Sequence, residues 1–123
     1  MFINILAAAV TTAVNPVATV STNASRVLGL EIKNTGANAL NAFEVWGRCS
    51  PTGNWVRVSQ IGTDYSTPVY PVNRAIGAPV TLAPGATVLL VLDVLGFAEV
   101  QLRASTGAST TTLEIHGACK FHV

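Results

Sequence analysis

The side chains best suited to chemistry in this sequence are His116, Cys119 and His122, together with Cys49 far upstream. Two His and two Cys residues are a known combination of zinc ligands, because Zn²⁺ prefers imidazole and thiolate. The spacing is not that of a known zinc module, and on a strand His116 and His122 would share one face while Cys119 points to the other. We therefore predict no metal and no cofactor, with both histidines at the surface and Cys119 as a small buried thiol.

A disulfide between the two cysteines stays open as an alternative. Cys49 follows one predicted strand and Cys119 follows another, so the two thiols could meet at one end of a sandwich. Bridging requires Cα atoms within about 7 Å, which sequence spacing does not establish. Two cysteines also do not require an oxidising compartment.

Catalysis is not expected from the remaining polar residues. The chain has six carboxylates, most of them on outward strand positions: Glu31, Glu44, Asp64, Asp93, Glu99 and Glu114. No pair is marked by a local motif, as a glycosidase pair would need. The sequence also has no nucleophile elbow, no P-loop and no dinucleotide-binding loop. These observations predict a protein that is not an enzyme.

Four aromatic residues form the remaining candidate site: Trp46, Trp55, Tyr65 and Tyr70. The outward parity of Trp46 and Trp55 predicts two rings on one exposed sheet face, beside arginines. Aromatic residues with Arg are enriched at protein interfaces and at sugar-binding platforms. The alternative is structural, with one Trp covering an open end of the core and the other packing beneath the loop at 61–79.

Composition indicates a small domain that is partly covered by other proteins. The chain has 123 residues, of which 50% are hydrophobic and only 11% charged, against about 25% in a typical soluble domain. An apolar surface of this kind usually marks an interface, which favours a homo-oligomer or a place in a larger assembly. The net charge of +1 comes without a basic stripe, so nucleic-acid binding is not expected.

Residues 1–25 contain no charged side chain and are predicted to be an N-terminal arm or a first strand. The apolar start of the chain is too short and too rich in Thr to span a bilayer, so no membrane partner is expected. An uncharged extended segment can add a strand to the sheet of a neighbour. We predict interface residues here at Phe2, Ile3, Ile5, Leu6 and Val10. On the arm interpretation, deleting residues 1–25 leaves a folded domain that no longer assembles.

Alternation of apolar and polar residues predicts an all-β domain over residues 26–123. Turn signals recur at short intervals, and Leu30, Phe43 and Leu113 each lie in a segment of period two. Residues 86–94 are nearly all apolar, which predicts a strand covered on both faces. Seven or eight such strands indicate an immunoglobulin-like antiparallel β-sandwich, with a small barrel as the alternative.

The turns and strands also carry a resemblance. The segments Leu30-Glu31-Ile32-Lys33-Asn34-Thr35-Gly36, Phe43-x-Val45, Gly53-x-Trp55 and Leu82-Ala83-Pro84-Gly85 resemble small immunoglobulin-like modules. The later segments Val100-x-Leu102-Arg103-Ala104-Ser105 and Thr111-Thr112-Leu113-x-Ile115-x-Gly117 are similar to short structural proteins of tailed-bacteriophage virions. The resemblance covers residues 27–117, and its motifs are turns and strands with low specificity.

The resemblance implies a virion protein assembled in the cytoplasm of a bacterial host. The function expected from it is capsid decoration, with strand or arm contacts to the major capsid protein or to neighbouring copies. A small tail or neck component is a second expectation. A carbohydrate- or cell-surface-binding module that uses the Trp and Tyr residues is the alternative from a different class.

Overall fold

The computed structural model describes residues 2–22, 27–60, 74–77, 82–94, 96–107 and 109–120. Within these residues the chain forms nine β-strands: β1 (Phe2–Val10), β2 (Asn15–Ser21), β3 (Val27–Asn34), β4 (Leu40–Arg48), β5 (Val56–Gln60), β6 (Arg74–Gly77), β7 (Thr87–Asp93), β8 (Glu99–Thr106) and β9 (Thr111–Lys120). A five-stranded sheet has the order β1-β9-β3-β7-β6, and a four-stranded sheet has the order β2-β8-β4-β5. All neighbouring strands are antiparallel.

The strand pairs are nested along the chain. The first strand pairs with the last, β2 with β8, β3 with β7, and β4 with β5, while β6 adds to the edge beside β7. An antiparallel ribbon rolled in this way gives two packed sheets, which is the jelly-roll form of the β-sandwich. The predicted all-β sandwich is therefore confirmed. Its strand order differs from the immunoglobulin order, in which the first and last strands are not neighbours in one sheet.

The core lies between the two sheets and is built by alternation. On β3, Leu28, Leu30 and Ile32 are fully buried, while Glu31 and Lys33 between and after them are exposed. The same alternation buries further residues: Phe43 and Val45 on β4, Val100, Leu102 and Ala104 on β8, and Leu113 and Ile115 on β9. Burying each large aliphatic or aromatic side chain contributes about 1.5–3 kcal/mol.

The structure places residues 2–22 within the sandwich and not in a free arm. Residues Phe2–Val10 form an edge strand of the five-stranded sheet, and Asn15–Ser21 form an edge strand of the four-stranded sheet. Ala8, Val10, Ala18 and Val20 are buried in the common core. Of the two alternatives, the first-strand interpretation agrees with the structure, and the detachable arm does not. Pro16 lies at the start of β2, where an edge position tolerates the missing N–H.

Exposure on two strands departs from simple alternation. Val56, the first residue of the edge strand β5, is 63% exposed although its register partner Gly47 is buried. The strand at 86–94 was expected to be covered on both faces, yet Leu89 is 40% exposed on the outer face of β7. The turn before β7 follows the expectation for Pro-Gly, with Gly85 at a φ of 82°.

The buried side-chain amide of Asn34 forms hydrogen bonds to three loops at one end of the sandwich. The Asn34 side chain is fully buried, and its Nδ2 donates to the backbone oxygens of Leu82 at 2.9 Å and Asn38 at 2.8 Å. Its Oδ1 accepts from the Thr111 hydroxyl at 2.8 Å and from the Gly36 amide at 3.2 Å. All four hydrogen-bonding positions of the amide are thus used, which offsets the cost of burying it.

Candidate functional site

The His and Cys side chains that the sequence analysis considered as a zinc set, and did not predict as one, are not brought together among the residues that the structure describes. Cys49 is exposed just after β4 in the four-stranded sheet, whereas Cys119 is buried on β9 in the other sheet, and both thiols are free. His116 lies on the outer face of β9, opposite in direction to Cys119, and His122 lies outside the described residues. In the described ranges no three His, Cys, Asp or Glu side chains are grouped as metal ligands would be.

His116 is engaged by two polar neighbours. Its Nδ1 lies 2.7 Å from Oδ1 of Asn4 on β1, the residue directly opposite in the strand register. Its Nε2 lies 2.6 Å from Oε1 of Glu114 on the same strand. The imidazole therefore holds β1 to β9 on the outer surface, and both ring nitrogens are occupied.

Aromatic and charged side chains cover the outer face of the four-stranded sheet. We call this surface the Trp–Arg face and define it by Glu44, Trp46, Arg48, Trp55, Arg57, Glu99, Gln101 and Arg103. The strand register explains its layout, since three pairs are directly opposite: Glu44 with Arg103, Trp46 with Gln101, and Arg48 with Glu99. Alternation along β4 and β8 sends these residues outward because their neighbours fill the core.

One end of the Trp–Arg face is a cation–π and ion-pair cluster. The Arg48 guanidinium lies 4.5 Å from the centre of the Trp55 ring, and its Nε donates to Oε1 of Glu99 at 2.8 Å. Both charged side chains are only 21% exposed. Partial burial strengthens such contacts compared with fully exposed ones, so Trp55 is held in place by a paired arginine.

The other end is centred on Trp46 and Arg103. The Arg103 guanidinium lies 4.1 Å from the centre of the Trp46 ring, and its Nε donates to Oε1 of Gln101 at 2.8 Å. Gln101 is itself only 8% exposed and donates to the Thr19 hydroxyl on β2 at 3.1 Å. Arg103 is therefore held in place by the Trp46 ring and by Gln101, which is itself hydrogen-bonded to Thr19.

The carboxylate nearest to Arg103 in the register is used by other groups. Glu44 accepts from the Trp46 indole N–H at 3.1 Å through one oxygen and pairs with Arg57 at 3.3 Å through the other. Among the side chains that the structure describes, Arg103 forms no ion pair with a carboxylate. Its two terminal nitrogens are thus held in a half-buried position where they can bind an anionic group, and Arg is suited to bidentate contact with a carboxylate.

The predicted interface residues of β1 separate into exposed and buried positions. Phe2 is 85% exposed and Leu6 is 71% exposed, so both lie on the surface as expected. Ile3 and Ile5 are half-buried against the core. Val10 is fully buried, so its place in the predicted interface was wrong, because it lies beyond the β-bulge on the inward side of the strand.

The structure describes two of the four aromatic residues that the sequence analysis singled out. Trp46 and Trp55 do lie on one outer face, each with an arginine over the ring, whereas Tyr65 and Tyr70 lie outside the described residues. Arg103 and Gln101 were not in the predicted site. Their outward parity on β8 was visible in the sequence, but the pairing of β8 beside β4, which brings them to Trp46, was not.

Comparisons with known proteins show that the fold of this chain is similar to that of a solved structure. Neither the protein-family models nor the curated proteins gave a match to this sequence. Among solved structures, the SPBc2 prophage-derived protein YomS has a similar fold, with a TM-score of 0.54 and 10% sequence identity over 94% of this chain and 89% of that chain. At this identity the similarity supports the architecture alone. No helix in the described ranges has the length and apolar character to cross a membrane.

Proposed function

We propose that this chain is a structural protein of a bacteriophage virion, most specifically a decoration protein bound to the outer surface of the head. The observation that carries the proposal is the similarity in fold to a prophage-derived protein, which extends over nearly the whole of both chains. The jelly-roll strand order adds support by analogy, since this architecture recurs in viral capsid proteins. The mechanism is association through surface contacts, without catalysis.

The Trp–Arg face is the proposed contact with the capsid lattice. Tryptophan and arginine are the side chains that most often dominate binding energy at protein interfaces. Here they are fixed before binding, which lowers the entropic cost of association. Arg103 supplies a positive group that pairs with no carboxylate of the described residues, so a carboxylate on the neighbouring virion protein is the complementary group.

Purified virions of the phage whose genome encodes this chain provide the test of location. We expect mass spectrometry to detect the chain in density-banded particles, and immunogold labelling to mark the head. Labelling of the tail or neck would support a virion role and exclude decoration. Presence in the lysate together with absence from the banded particles would contradict the proposal.

Replacing Arg103 by Ala is expected to weaken binding to virions that lack the protein by at least tenfold. The lost charge contact and the lost packing on Trp46 both weaken binding. A combined loss of about 1.4 kcal/mol corresponds to a tenfold lower affinity. Co-sedimentation with particles from a strain deleted for the gene measures the change. Lys33→Ala is the matched control, because Lys33 is an exposed cation on the opposite sheet. Equal binding by both variants would exclude the Trp–Arg face as the contact.

Carbohydrate binding is the second candidate, and the same face favours it through its two tryptophans. A sugar stacks on an aromatic ring through its apolar face. Each of these rings already has a guanidinium over it, at 4.5 Å for Trp55 and 4.1 Å for Trp46. This arrangement favours a protein carboxylate over a neutral sugar. Binding to glycans of the host surface that is lost on Trp55→Ala would reverse that preference.

A further inference from the structure

Among the residues that the structure describes, the strand β1 has a strand partner on one side only. It ends the five-stranded sheet and pairs with β9. Edge strands are templates for pairing with another chain, and proteins usually protect them with charge, proline or bulges. The edge strand β2 carries Pro16 and a register shift beside it. In contrast, β1 has no charged residue and no proline, and its bulge is confined to Leu6 and Ala7.

The first half of β1 is complementary to itself. The sequence Phe2-Ile3-Asn4-Ile5-Leu6 has the same pattern of residue types in both directions about Asn4. In an antiparallel pair of two copies centred on this residue, Phe2 of one copy faces Leu6 of the other, Ile3 faces Ile5, and Asn4 faces Asn4. A twofold interface requires this reciprocity, in which residue i contacts j and j contacts i.

The side chains are already directed as such a pair requires. Phe2, Asn4 and Leu6 are exposed, whereas Ile3 and Ile5 are half-buried against the core. Pairing would bury the two largest exposed apolar side chains of β1 against each other on the outer face. It would also extend the apolar layer formed by the isoleucines, because alternation is preserved from residue 2 to residue 6.

The charge distribution favours a second copy as the occupant of this edge. A twofold axis brings any charge near it close to its own copy, and like charges directly opposite are destabilising. Residues 2–22 contain no charged side chain, so no like charges would lie directly opposite each other in the strand pair. At the axis, the Asn4 Oδ1 is engaged by His116 at 2.7 Å, and the described residues provide no acceptor for its Nδ2. That N–H group can donate to the second copy.

We propose that two copies of this chain pair antiparallel through β1, with the twofold axis at Asn4, and form one continuous ten-stranded sheet. Main-chain hydrogen bonds of the added strand supply affinity, and the Phe2–Leu6 contacts set the register. This pairing rests on β1 alone and does not depend on a role in the virion.

Cysteine cross-linking tests the axis directly. Asn4→Cys, made together with Cys49→Ser to remove the exposed native thiol, is expected to give a disulfide-linked dimer as the main species under mild oxidation. Directly opposed residues in an antiparallel pair have Cα atoms about 4.5–5.5 Å apart, within the range of a disulfide. Ala9→Cys in the same background is the matched control. It is also exposed on β1, but its two copies would lie about 33 Å apart, at about 3.3 Å per residue.

Absence of the Asn4→Cys dimer, or equal cross-linking of both variants, would overturn the proposal. Sedimentation velocity of the chain without introduced cysteines gives an independent measurement. We expect a monomer–dimer equilibrium that Phe2→Ser with Leu6→Ser shifts at least tenfold toward monomer, with an unchanged circular dichroism spectrum. A monomer at all concentrations would also overturn it. All of these measurements use purified protein, so failure here leaves the virion test unaffected, and the reverse also holds.

Discussion

Replacing Asn34 by Asp is expected to destabilise the domain by about 3–5 kcal/mol. The substitution preserves shape but removes the two N–H donors that serve Leu82 and Asn38. It also places a carboxylate oxygen against two backbone carbonyls in a fully buried position. A buried group left unsatisfied costs about 1–3 kcal/mol, and more when it is charged. Urea unfolding followed by tryptophan fluorescence measures the difference.

Asn41→Asp is the matched control for this prediction. Asn41 is exposed, and its Oδ1 accepts a hydrogen bond from the Ser105 hydroxyl at 2.7 Å. A carboxylate performs that role equally well, so we expect a change within about 0.5 kcal/mol. A similar loss in both variants, or no loss in Asn34→Asp, would show that the buried amide does not join the three loops as the hydrogen bonds indicate.

The inward residues of the central strands were predictable because period two is a local property. Leu30, Phe43 and Leu113 each sit in a segment whose polar neighbours point to solvent, and each is buried. Alternation alone assigns two faces to a strand, and the hydrophobic face then identifies the core. This signal needs no knowledge of which strands are neighbours, and it led to the correct fold class, an all-β sandwich, but not to the strand order.

The strand order and the position of residues 2–22 in the sandwich could not be predicted from local sequence patterns. Val10 is uncharged like its exposed neighbours Ala9 and Thr11, and only the bulge between Ile5 and Ala8 turns it toward the core. Bulges depend on how two distant segments pair, so one strand taken alone does not reveal them.

The difference between local and non-local information also explains which parts of the Trp–Arg face were predicted from the sequence. The outward direction of Trp46 follows from its own strand, and the sequence predicted it. Its contact with Arg103 joins residues 57 positions apart and depends on β4 lying beside β8. Parity on one strand also predicted that His116 and Cys119 lie on opposite faces of β9, as they do in the structure. Features that depend on one strand were thus easier to predict than those that depend on two, although the exposed outer face of β7 at Leu89 was not predicted.

Deleting residues 1–22 is expected to abolish cooperative folding, in contrast to the result predicted for a detachable arm. The deletion removes one edge strand from each sheet and takes Val10 and Val20, both buried, out of the core. Fully burying each valine contributes about 1.5–3 kcal/mol, and two ladders of backbone hydrogen bonds are lost as well. A domain is typically stable by only about 5–15 kcal/mol, so these losses are sufficient to unfold it. Thermal unfolding followed by circular dichroism should show no cooperative transition.

The full-length Phe2→Ser, Leu6→Ser variant separates folding from association in this experiment. Both side chains are mostly exposed, so their replacement should change the free energy of unfolding by about 0.5 kcal/mol or less. If the truncated chain instead unfolds cooperatively as a stable monomer, then β1 and β2 are dispensable and residues 1–25 can act as an exchangeable arm after all. If it does not, assembly must proceed through surfaces of the intact sandwich, and loss of assembly on truncation reports unfolding rather than a missing contact.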